Sequence, residues 1–133
     1  MNAKLSDELK KEAIDLGLCE PWQKSWDGSI EGLASMYIRG MDFCVEHDYP
    51  SLSCLENNFK GKVRHFGIYI SEDVNLISHG RVMACVGSCT GKMNLLPMSS
   101  TRLYLRHTSN IKIRLGAKGF LMIDAHENST EVS

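Results

Sequence analysis

Apolar residues recur at two different spacings along the chain, and the spacing changes near residue 62. Before that point they fall three and four apart. Leu5, Leu9, Ala13 and Leu16 form one stripe, with Ser6 as an N-cap, acids in the first turn and Gly17 as a stop. This predicts a helix over about 7–16. Pro21 opens a short helix over about 21–26 that carries Trp22 and Trp26 on one face. Asp27-Gly28-Ser29 breaks it. Ile30, Leu33, Ala34, Tyr37, Met41, Cys44 and Val45 then predict one helix over about 30–47. Pro50 and Ser51 lead into a last helix over about 50–59, with Leu52, Leu55 and Phe59 on its apolar side and Gly61 at its end.

After Lys62 the spacing becomes alternating, as in strands. Segments starting at Val86, Arg106 and Ala125 align with offsets of 20 and 19, and 67–76 fits a weaker first copy. Each copy reads as strand, small polar turn, strand. The chain therefore divides into a helical head (1–61) and a strand-repeat domain (62–133), an α+β protein. Repeats of about 20 residues predict a short β-solenoid tail, right-handed β-helix-like, with equivalent positions stacked in ladders. An antiparallel β-sandwich or meander is the alternative. In both, Met93, Leu95, Leu103, Leu105, Ile113, Leu115, Leu121, Ile123 and Val132 point inward. Arg102, Tyr104, Arg106, Lys112, Arg114 and Phe120 then point outward, as a basic and aromatic binding face.

Composition narrows the class. The 133 residues are 43% hydrophobic and 23% charged, which suits a folded domain rather than a disordered one. No apolar run reaches membrane-span length, and the first residues lack a signal-peptide core, so a cytoplasmic location is expected. Five cysteines, an odd number, favour free thiols in a reducing compartment. Residues 1–60 carry six Lys/Arg against eleven Asp/Glu, a charge of −5; residues 61–133 carry nine against five, a charge of +4. The halves should attract each other. The acidic helices argue against a DNA-reading head, since the 30–47 segment sets Arg39 against Glu31, Asp42 and Glu46.

Candidate chemistry is sparse. Asp124, His126 and Glu127 form a carboxylate–imidazole cluster of the kind that general acid–base catalysis uses. His107 and His126 occupy one repeat position in the 20/19 alignment. Cys85 and Cys89 lie in the preceding copy, a set that could bind zinc if it converged. Gly87-Ser88-Cys89-Thr90-Gly91-Lys92 lacks the spacing of a phosphate loop. No cofactor is implied.

Two stretches carry a resemblance. Leu18-Cys19-Glu20-Pro21-Trp22-Gln23 with Trp26, and Arg39 to Pro50 through Phe43-Cys44-Val45-Glu46-His47-Asp48, resemble the head of a group of small uncharacterised bacterial proteins. Some of these sit in mobile or prophage-like regions. The resemblance implies a helical head before a strand-repeat tail and implies no activity. The expected function is that of a non-enzymatic interaction or assembly protein, with a protein partner or a homodimer. A small carbohydrate-active or hydrolytic β-helix protein and a nucleic-acid accessory protein acting through the basic tail are the alternatives.

Overall fold

The computed structural model describes residues 3–78, 81–126 and 130–132, the side chains of Ser78 and 130–132 excepted. Five helices come first: α1 (Ala3–Asp15), α2 (Glu20–Lys24), α3 (Ile30–Arg39), α4 (Met41–His47) and α5 (Leu52–Asn58). Ser29 and Ser51 cap α3 and α5, accepting from the backbone N–H of Gly32 and Cys54. The single helix expected over 30–47 is two. Gly40 (φ −104°, ψ 30°) ends α3, and its missing side chain leaves room for the Trp22 ring. Arg39 lies over the same ring, 5.3 Å from its centroid.

A 3₁₀ turn (Arg64–Phe66) leads into eight strands: β1 (Ile68–Ile70), β2 (Asp73–Ser78), β3 (Val82–Val86), β4 (Thr90–Leu95), β5 (Ser100–Leu105), β6 (Asn110–Leu115), β7 (Phe120–Ala125) and β8 (Thr130–Val132). The chain alternates between two sheets, ordered β1-β3-β5-β7 and β2-β4-β6-β8. Every pairing is parallel. That excludes the antiparallel sandwich or meander.

The β-solenoid expectation is also corrected. The strands form two separate four-stranded sheets, which neither close nor curl into a right-handed β-helix. The physical reason lies in the odd-numbered sheet, which carries two apolar faces. Met83, Cys85, Leu103 and Leu105 face the other sheet, in a core shared with Val74, Leu76, Met93, Ile111 and Ile113. Their neighbours Ile68, Ile70, Ala84, Val86 and Tyr104 face the helices, in a core shared with Leu9, Ala13, Leu33, Tyr37 and Phe59. The result is three layers: helices, sheet, sheet.

Register departs from the sequence alignment in its last copy. Thr90, Asn110 and Thr130 are partners, as are Val82, Arg102 and Met122, so the period is 20 throughout these pairs. The earliest pairs, Ile68 with Ala84 and Asp73 with Thr90, are offset by 16 and 17. Left-handed backbone turns recur at the same spacing, at Gly87 and His107 and at Met98 and Lys118.

Candidate functional site

Head and tail meet at a charged cluster. Arg106 follows β5, and its N–H donates to the Cys85 carbonyl (2.9 Å), which sends the side chain out of the sheet towards the helices. The side chain is wholly buried there. Its Nη2 donates to Asp48 Oδ1 (2.9 Å). Asp48 ends α4 in the left-handed conformation (φ 47°), which turns its carboxylate back to the tail. His107 Nε2 lies 3.1 Å from the same oxygen. Gly87 N–H donates to His107 Nδ1 (3.1 Å), so the hydrogen-bond pattern assigns the ring proton to Nε2. The His107 bond, helped by Arg106, holds the Asp48 carboxyl below its usual range. Burial pushes the nearby Tyr37 phenol up, and it pushes the Cys44 thiol up to about 12. Both imidazole nitrogens are engaged within the protein. The cluster fastens the head to the sheet.

The outward-facing set is split by the structure. Tyr104 is buried beneath the helices, as Arg106 is. Arg102 is half-buried; its Nε donates to Asp124 Oδ2 (2.9 Å), and its guanidinium sits 4.8 Å from the Tyr104 ring centroid. Phe120 is exposed on the same sheet. Lys112 and Arg114 are exposed on β6, in the other sheet, whose outer face looks the opposite way. The six residues therefore do not form one face.

The acid–base and metal candidates are dispersed as well. Asp124 is held by Arg102. His126 N–H donates to the Leu105 carbonyl, which aligns His126 with Arg106 and not with His107. Glu127 lies outside the described residues. Cys85 and Cys89 are both buried between the sheets, where Cys89 Sγ donates to the carbonyls of Tyr69 and Val86 (3.3 Å each). Their mutual hydrogen bond, then burial, pushes the Cys85 thiol far up. His107 points to the head instead. Among the described residues no three His, Cys, Asp or Glu side chains are placed to hold a metal ion.

The sequence leads one to expect an open end to the repeat, but alternation places Leu115 inward and does not register how far its cover thins there. Leu95 is 2% exposed, whereas its ladder neighbour Leu115 is 52% exposed. Leu103 is fully buried and its partner Ile123 only partly so. Phe120 and Met122 stand on the outer face of β7, 60% and 47% exposed. Alternation gives the side a residue faces, and it does not say where the covering layer stops.

No protein-family model, curated protein or solved structure matches the chain. No helix among the described residues is long and apolar enough to cross a membrane.

Proposed function

We propose that this is a non-enzymatic assembly protein of the cytoplasm, which pairs with a second copy of itself through the β7/β8 end of its two sheets. The observation that carries this reading is the loss of cover along each ladder towards that end, from Leu95 to Leu115 and from Leu103 to Ile123. Outer strands present unpaired backbone groups, and exposed apolar side chains beside them favour strand-to-strand pairing. At the opposite end the Arg64–Phe66 turn packs beside β1, and Arg64 Nε donates to Glu72 Oε1 (2.6 Å). Two open ends meeting about a two-fold axis give a closed dimer. All five thiols are free, which fits a reducing compartment.

Amide hydrogen exchange tests the proposal at the strand itself. Phe120 and His126 donate to the carbonyls of Ser99 and Leu105, so the intervening N–H groups of Leu121, Ile123 and Ala125 face away from β5. Their exchange should slow in concentrated protein relative to dilute protein. Exchange at these three amides that is independent of concentration would overturn the pairing.

A further inference from the structure

The helical layer encloses a space it does not fill. A cavity of about 300 Å³ runs through the head, from the α1–α2 connection at Gly17 and Cys19 to a floor of Ile68 and Ile70 on β1. Trp22, Trp26 and Phe43 stand along it, and Ala13 and Ala34 leave room from α1 and α3. Its lining is almost wholly apolar and includes no charged side chain among the described residues. Protein cores are close-packed, and voids much larger than one water are few. Pockets of this size, apolar and aromatic, are typical of small-molecule sites. Gly17 and Cys19 are exposed, so the cavity opens to solvent at the α1–α2 connection.

We infer that the head binds the hydrocarbon part of a medium-chain acyl or alkyl compound. An apolar cavity of about 150 Å³ accommodates benzene, so twice that volume suits about ten to twelve carbon atoms. The cavity extends across the head from α2 to the sheet, which suits a chain better than a compact ring system. With no charged group in the lining, a polar headgroup stays at the mouth by Cys19. This site is independent of the dimer end, which lies on β7 and β8.

The two tryptophans report on the site directly. Titration of the intact protein with decanol should give a saturable, one-to-one change in Trp22 and Trp26 fluorescence. It should also raise Tm with ligand concentration. Ala34→Leu, which places a larger side chain into the cavity, should weaken decanol binding at least tenfold with Tm unchanged or higher. Ala13→Val serves as a second filling variant if Ala34→Leu does not fold. Naphthalene separates a chain site from a ring site. Binding of decanol in preference to naphthalene supports the assignment, and binding of naphthalene alone overturns it. The absence of any saturable response to decanol, in protein whose circular dichroism shows it folded, also overturns it. So does decanol binding that a folded filling variant leaves unchanged.

Discussion

Arg106 shows how far the residue scale can be read from sequence. Alternation places it on the side of β5 away from Leu103 and Leu105, and the structure agrees on that parity. That side is a second buried face, and nothing in the repeat pattern signals the helices lying over it. A buried guanidinium needs an anion, and Asp48 supplies it from 58 residues away. The pairing was not legible, because Asp48 sits in the head within an otherwise ordinary helix end. Asp48→Asn should cost about 1–2 kcal/mol at pH 7, less than a fully buried pair because Asp48 itself is well exposed. The cost should depend on pH. The folded carboxyl titrates below its unfolded value, so its stabilisation is complete above the ordinary aspartate pKa. That contribution is lost as pH falls through the folded value. Urea midpoints of the two proteins should differ clearly at pH 7 and converge towards pH 3. A gap of the same size at both pH values would mean that the Asp48 charge contributes nothing.

At the scale of elements, the helices were legible and their breaks less so. The stripe from Ile30 to Val45 continues through Gly40, because α3 and α4 both bury their apolar side in the same core. Periodicity cannot register a break that preserves the buried face. Long-range ties also escaped it. Tyr49 Oη donates to the Leu9 carbonyl (2.6 Å), and Trp26 Nε1 donates to Ser6 Oγ (3.0 Å), which pins α1 to the rest of the head. Tyr49→Phe keeps the ring and removes only the first of these bonds. Thermal unfolding should show a loss of about 1–2 kcal/mol; an unchanged Tm would remove Tyr49 as an anchor of α1. In the sheets, the repeat was visible but its last register slipped by one. The period is held by left-handed turns at residues such as His107 and Lys118, whose side chains do not announce that conformation. Gly91 is the reverse case. Its φ of +129° and the Val74 backbone beside it exclude any side chain. Gly91→Ala should destabilise by about 2 kcal/mol or more by urea titration. A variant as stable as the parent would mean that the β2–β4 pairing differs from that described.

The whole molecule is a consequence of one sheet with two apolar faces. The acidic head and basic tail attract, and Asp48 with Arg106 is where that attraction is most specific. The two-part organisation and the charge asymmetry were both readable in the sequence. The layering was not, because Ile68, Ile70, Ala84, Val86 and Tyr104 are small, alternating or aromatic residues that an exposed outer strand face also accepts. The candidate site fared least well, since the outward basic and aromatic residues are distributed over two opposite faces and partly buried. What remains exposed and apolar gathers at the open end, at Leu115, Phe120 and Met122. The most direct test is the mass in solution by light scattering, at low and at high salt. The proposal predicts the mass of two chains at both salt concentrations, since apolar and strand-edge pairing is little screened, and the mass of one chain for Phe120→Glu with Leu115→Lys. A single-chain mass for the unaltered protein at high concentration and both salt levels would contradict the self-assembly reading.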